Sequence, residues 1–226
     1  MIIISGAAGG IGEKLLQKIS KLDNVLALYN KKEPLKKIAK VNYVQINLNK
    51  EKEIYKLNKF IKDKSKIVFL SLAAVKIDSL LINQNSLDFD KIINTNLKSN
   101  FLISKYLLKK MIYSNWGRLI FFSSTGSVRG DVGTSVYSAS KLGLLGLSKV
   151  ISKEYGMHNI TSNIIELGAF NEGMYKKLNL NEKKKIIDKI PKKKLGKISH
   201  IYNTIRFLIN TEFCNGSIIK LDGGAD

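Results

Sequence analysis

Apolar residues in this chain fall into short unbroken runs, separated by longer stretches in which they recur at helical spacing. The runs Ile2–Ser5, Val25–Tyr29, Tyr43–Ile46, Ile67–Ser71, Arg118–Ser123, Thr161–Ile165 and Ser217–Leu221 read as strands. The early ones are short and unalternating, the pattern of strands buried on both faces of a parallel sheet. Helix-period segments lie between them, at Ile11–Leu22, Lys50–Lys62, about Leu87–Ser114, Val136–Tyr155 and His200–Asn210. Strand and helix alternating at this spacing predict right-handed βαβ crossovers and a doubly wound α/β fold. Pro34 and Pro191 are the only prolines and no Ser/Gly-rich linker occurs, so residues 1–226 are expected to form a single domain.

Composition narrows the partners. The formal net charge is +20, yet 35 of the 38 basic residues are lysine and only Arg118, Arg129 and Arg206 are arginine. Lys, Asn and Ile together make 85 of 226 residues, the mark of an AT-rich coding sequence rather than of a binding surface. Readers of phosphates and bases favour the bidentate arginine fork, so no nucleic-acid partner is expected. The charge still predicts attraction to anionic substrates. A single cysteine, Cys214, excludes an internal disulfide and reads as a small buried hydrophobe. With His158 and His200 far apart, no metal site is expected. The longest uncharged run is the first twelve residues, too short to span a bilayer and without the basic start of a signal peptide. The expectation is a cytoplasmic protein with no membrane partner.

Ser5-Gly6-Ala7-Ala8-Gly9-Gly10-Ile11-Gly12 follows the first strand and opens the first helix. Glycines at 6, 10 and 12 suit a tight turn, close backbone approach to a pyrophosphate, and close helix–strand packing. The helix N-terminus then offers free N–H groups and a positive dipole end. The spacing is GxxxGxG. In this it resembles the classical short-chain dehydrogenase/reductase family, whose signature is TGxxxGIG, with Ser5 in place of the threonine. The implied fold is a Rossmann-type, doubly wound, seven-stranded parallel sheet in three αβα layers, order 3-2-1-4-5-6-7. Its dinucleotide-binding half would cover about 1–115 and its catalytic and substrate half about 116–226.

At the end of strand two, a carboxylate would bind a ribose 2′-OH and repel a 2′-phosphate. The residues there are Asn30, Lys31 and Lys32, which favours NADP(H) and leaves NAD(H) as the second option. Asn47, followed by Leu48, stands where the family places an adenine-contacting Asp after strand three. Ser5, Gly6, Gly10, Ile11 and Gly12 complete the expected phosphate contacts.

Tyr137-Ser138-Ala139-Ser140-Lys141 puts a phenol and an ammonium on one helix face at i and i+4. An ammonium beside a phenol favours phenolate, so the pair can exchange a proton with a substrate oxygen. Ser124, thirteen residues before Tyr137, ends an apolar strand on the side facing the cofactor crevice and can polarise a carbonyl. The resemblance adds Asn96, in Ile93-Asn94-Thr95-Asn96-Leu97, as the holder of a water linking Lys141 to solvent. It also implies that Lys141 holds the nicotinamide ribose, and it assigns Ala73, Gly168 and Glu172 to the cofactor pocket.

The similarity runs through the whole chain, to Asn215-Gly216 and the closing Asp222-Gly223-Gly224, with three departures. Ser71-Leu72-Ala73-Ala74 replaces NNAG, Leu167-Gly168 replaces PG, and Glu172 replaces a threonine that hydrogen-bonds the carboxamide. Residues 171–197, the family's substrate lid, hold ten lysines against Glu172, Glu182 and Asp188, and a short helix is predicted at Asn181–Ile190. This lid either attracts an anionic substrate or is a solvated surface that drifted basic. The implied reaction is reversible hydride transfer between NADP(H) and a carbonyl or secondary alcohol, with a 3-oxoacyl thioester, carrier-linked by resemblance, as the first substrate expectation. A sugar or nucleotide-sugar oxidoreductase of surface-polysaccharide synthesis is the second. A non-catalytic NAD(P)-binding regulator is the alternative of another class. A homotetramer or homodimer is implied.

Overall fold

The structure, a computed structural model, describes residues 1–34, 37–62 and 64–225, with Met174 and Lys177 by their backbone alone. The chain enters through β1 (Ile2–Ser5), crosses by α1 (Gly10–Ile19) to β2 (Val25–Tyr29), and continues through β3 (Val41–Gln45), the single turn α2 (Glu51–Ile54) and β4 (Ile67–Ser71). Helices α3 (Ser86–Ile93) and α4 (Ser99–Ser114) lead to β5 (Gly117–Ser124), then α5 (Thr125–Arg129), α6 (Ser135–Glu154) and β6 (Ile160–Leu167). The chain closes with α7 (Leu180–Lys189), α8 (Ile198–Asn210) and β7 (Ile218–Leu221). All neighbouring strands are parallel, in the order β3-β2-β1-β4-β5-β6-β7. The seven-stranded doubly wound sheet is thus the one expected.

Alternation along buried strands builds both flanking layers. Ile3, Leu26, Phe69, Leu119 and Phe121 face one side, where they meet Leu102, Ile103 and Leu107 of α4 and Leu144 and Ile151 of α6. Ile2, Ile4, Ala27, Leu70, Ile120 and Phe122 face the other, against Leu15, Leu16 and Ile19 of α1 and Ile201, Ile205 and Leu208 of α8. Strand pairs carry no polar alternation because helices cover both faces. Polar residues buried in β6 serve its partner strand: Asn163 donates to the Cys214 carbonyl at 2.7 Å and accepts from the Ser217 N–H at 2.9 Å. Cys214 itself is half-buried.

Several element boundaries differ from expectation. Strand β3 spans Val41–Gln45 rather than Tyr43–Ile46, since it is an edge strand whose start is only partly buried and carries little apolar signal. The stretch expected as one helix over Lys50–Lys62 keeps one α turn and tightens to a 3₁₀ turn over Tyr55–Lys59, which still brings Ile54, Leu57 and Ile61 into the core. The helix expected over Leu87–Ser114 is broken by a π turn at Asn94–Lys98, where the Asn96 carbonyl takes the Asn100 side-chain amide at 2.8 Å. Such an inserted residue re-aims a side chain without ending the helix. Helix α5, in Ser/Thr/Gly-rich sequence, is not among the expected helices.

Strand order reverses between β1 and β4, and ligands of open α/β sheets bind outside the carboxyl ends of strands at that point. Ser5 pairs in register with Ser71, and Ser124 with Leu167, so the ends of β1, β4, β5 and β6 open onto one crevice.

Candidate active site

The glycine turn is shaped by close backbone approaches. Gly6 has φ +70°, and a Cβ there would meet the Ala73 nitrogen at 2.6 Å and the Leu72 carbonyl carbon at 2.7 Å. Ser5 Oγ accepts from the Ala73 N–H at 3.3 Å, which ties the exits of β1 and β4 together. A Cβ on Gly12 would run into the Gly6 carbonyl oxygen, so α1 can sit this close to the turn only with glycine. Helix α1 has no side-chain cap. Its first-turn N–H groups, including that of Ile11, and its positive dipole end suit the phosphates of a dinucleotide. Gly10 faces the lid: a Cβ there would lie 2.7 Å from the Gly173 nitrogen. The turn therefore fits a pyrophosphate chemically, with Gly173 resting on it.

Other expected cofactor residues have mixed settings. Asn30, Lys31 and Lys32 are exposed just beyond β2, and Glu33 pairs with Lys37 at 3.0 Å. Asn47 is folded on itself: its Oδ1 accepts from the Asn49 N–H at 3.1 Å and its N–H donates to Glu53 Oε2 at 3.0 Å. Leu48 is half-buried against the core layer behind it. Gly168 is required by space, since a Cβ would meet the Asp222 Cα at 2.7 Å, and its N–H donates to the Leu221 carbonyl at 3.0 Å. That pairing holds the turn where proline is missing. Glu172 lies 3.9 Å from the Lys176 ammonium.

Helix α6 carries Tyr137 and Lys141 inward, at 5% and 4% exposure. The Lys141 ammonium lies 5.8 Å from the Tyr137 ring centre and donates to the Phe122 carbonyl of β5 at 2.8 Å. Burial pushes the Lys141 ammonium down to about 8. Burial likewise pushes the Tyr137 phenol up to about 12, against the opposite pull of its hydrogen bond with Ser124. Ser124, Tyr137 and Lys141 are thus brought together, with the phenol holding its proton at neutral pH.

Asn96 is fully buried beside them but its side chain is committed elsewhere. Its Oδ1 accepts from the Val75 N–H at 2.7 Å, and its Nδ2 donates to the Val75 carbonyl at 2.9 Å and to Ser140 Oγ at 2.9 Å. The amide therefore clamps the chain after β4 to the turn of α6 that bears Tyr137. Ser71, standing where the family has asparagine, donates to Asn100 Oδ1, while Leu72 packs into the opposite core layer. Ser71 thereby ties the end of β4 to α4.

Three residues near Tyr137 carried no separate signal in the sequence. Lys76 places its ammonium 5.9 Å from the phenol ring centre and pairs with Asp78 at 3.1 Å. Tyr175, on the lid, sits close enough to raise the Tyr137 phenol further, and itself feels Asp131 and Arg129. Arg129 and Asp131 form a two-bonded pair at 2.9 and 3.1 Å. Among the described residues, no group of three His, Cys, Asp or Glu side chains could hold a metal ion. None of the helices described there is long and apolar enough to cross a membrane.

The short chain dehydrogenase family profile matches residues 1–183. The chain is 33% identical over 231 residues to the 3-oxoacyl-acyl-carrier-protein reductase of Rickettsia conorii, covering 98% of this chain and 95% of that protein. It is 34% identical over 230 residues to the enzyme of the same name from Rickettsia bellii, and 31% identical over 233 residues to that of Buchnera aphidicola, with the same coverage. A crystal structure of a candidate gluconate dehydrogenase from Agrobacterium tumefaciens superposes with a TM-score of 0.88 at 21% identity, covering 100% of this chain and 95% of that one, a likeness of fold. A glycine turn on α1, a buried Tyr137–Lys141 pair against Ser124, and these full-length relatives converge: the chain belongs to the short-chain dehydrogenase/reductase family, oxidoreductases that use a nicotinamide cofactor on CH–OH and C=O groups.

Proposed function

We propose that this protein reduces the 3-oxo group of an acyl thioester, carrier-linked in its physiological form, with NADPH as the preferred reductant. The likeness along 98% of the chain to proteins named 3-oxoacyl-acyl-carrier-protein reductases carries this reading. When bound, the nicotinamide supplies the hydride. Ser124 donates to the carbonyl oxygen and polarises it, and Tyr137 gives that oxygen its proton. Lys141, anchored on the Phe122 carbonyl, stabilises the phenolate left behind and holds the nicotinamide ribose. A phenol that stays protonated up to about 12 is set as a donor, which supports the reducing direction. Asn96 serves by clamping Val75 to Ser140. The exposed Lys31 and Lys32 support NADPH over NADH. Residues 1–226 act as one unit in this reading. Exposed Phe101 and Ile112 on α4 and Leu142 and Val150 on α6 support assembly as a homotetramer or homodimer.

The test is turnover of a 3-oxoacyl thioester followed by NADPH absorbance. Wild-type protein should consume NADPH faster than NADH. Tyr137→Phe should lose nearly all turnover while binding NADPH within a few-fold, because the ring stays and only the proton donor goes. Turnover persisting at a tenth of wild type would remove Tyr137 from this role.

A further inference from the structure

Most lysines in this chain are solvated: Lys37, Lys50, Lys56, Lys105 and Lys176 have side chains 51 to 69% exposed. Lys76 is also a surface residue, but its side chain is less exposed, at 29%. Its ammonium has two partners, and the backbone beside it is pinned. Asp78 holds it at 3.1 Å, the Tyr137 ring lies 5.9 Å away, and its neighbour Val75 is bound at both N–H and carbonyl by the Asn96 amide. The same amide donates to Ser140, one helical turn beyond Tyr137. The spacing between Lys76 and the catalytic phenol is therefore set by one buried side chain bridging their two segments.

We infer that Lys76 is a positioning residue that acts through Tyr137, its ammonium supplying a second positive charge against the phenol on which the proton transfer turns. The inference rests on the catalytic role proposed for Tyr137. During reduction the Tyr137 O–H bond breaks, its electron pair stays on the phenolate oxygen, and the proton goes to the substrate oxygen. Hydride from the bound nicotinamide completes the alcohol. Negative charge thus develops on a ring whose centre lies 5.8 Å from the Lys141 ammonium and 5.9 Å from that of Lys76. Lys141 is buried, and its charged state is opposed by burial.

The other groups that face Tyr137 give the sign of each change. Lys141 lies on its own helix, Ser124 comes from β5, Lys76 and Asp78 from the chain after β4, and Tyr175 from the lid with Asp131 and Arg129 behind it. Removing a cation makes the phenolate harder to form; removing the Asp78 carboxylate makes it easier.

The experiment follows alcohol oxidation, which needs phenolate, with a 3-hydroxybutyryl thioester and NADP⁺ across a pH series. In Lys76→Met the rising limb of kcat should move up by about one pH unit, a roughly tenfold loss at fixed pH below it. In Asp78→Asn the limb should move down by a smaller amount, and Lys76→Arg should restore the wild-type limb. A uniform loss at every pH in Lys76→Met, with no movement of the limb in either variant, would overturn the inference and leave Tyr137 in place. Full activity of Tyr137→Phe would instead overturn the reading on which it rests. If Lys76→Met fails to fold, Asp78→Asn decides alone. If the thioester is not turned over, ultraviolet difference titration of tyrosinate between each variant and its Tyr137→Phe counterpart, with NADP⁺ bound, reads the same shifts.

Discussion

Lys141 shows how one side chain is set against its surroundings. Burial lowers its ammonium from the usual 10.5 to about 8, so the folded chain gives up this proton before the unfolded chain does. Below pH 8 both states are charged and the full penalty of burial, on the order of 3 kcal/mol, weighs on the fold. Between 8 and 10.5 the unfolded chain binds the extra proton, so this contribution makes stability rise with pH. Above 10.5 it is gone. Lys141→Met should therefore raise stability at pH 7 by about 1–2 kcal/mol, the remainder being lost with the bond to the Phe122 carbonyl. The gain should fall with pH and turn into a loss of about 1 kcal/mol by pH 10.5, where only the missing bond remains, as urea unfolding at both pH values will show. An equal gain at both would mean that the lysine's charge is not what the fold resists. Tyr137 has the opposite sign: its phenol, raised to about 12, keeps a proton the unfolded chain loses, so stability falls as pH climbs from 10 to 12. Of the two, Lys141 is the one whose charge the fold tolerates at a cost.

Among the elements, the lid lies on the phosphate turn. Gly173, with φ +71°, stands against Gly10 closely enough that even a methyl group on Gly10 would collide with it. If a pyrophosphate lies on the α1 N-terminus, as the proposed function has it, Gly173 must move aside for the cofactor to seat. Stopped-flow NADPH binding should therefore show a rate that levels off with concentration. Gly173→Ala strains the left-handed backbone by about 1–2 kcal/mol and should raise that plateau. A rate that climbs linearly and ignores the substitution would mean that the contact does not gate entry. Legibility in the sequence follows the same scale. Strands such as Ile2–Ser5 and Ile67–Ser71, buried on both faces, announce themselves as unbroken apolar runs. The glycine turn and the Tyr137–Lys141 spacing are equally plain because local geometry fixes them. The π turn at Asn94–Lys98 was hidden, since one inserted residue leaves the apolar period around it intact. So were the partners of Asn96 and the placement of Lys76, which depend on contacts between segments distant in sequence. Lys76 is one lysine among 35, and nothing local separates it from the solvated ones.

For the whole molecule the open question is whether the positive charge acts on the substrate. Helix α7 is held by a capping box between Asn179 and Glu182 and anchored through buried Ile190, with Ile186 and Ile187 half-buried on the same side. Lys184, Lys185 and Lys189 remain exposed, as does Lys194 beyond the helix. Lys193 already donates to the Asp188 carbonyl at 2.6 Å, and Lys192 packs on Gly223, so these two hold the lid's own structure. If the exposed lysines steer an anionic carrier-linked thioester, its kcat/KM should fall about tenfold between low and physiological salt, where screening limits the field to about 8 Å. Replacing Lys184, Lys185 and Lys194 by glutamine should reproduce much of that fall at low salt and flatten the remaining slope. Turnover number should hold, because these charges act on encounter rather than on proton or hydride transfer. A short neutral thioester such as the N-acetylcysteamine ester should respond to neither change, which separates steering from any damage to the site. An unchanged kcat/KM and salt slope in the triple variant would mean that the basic lid follows the lysine-rich composition of the chain and recognises nothing.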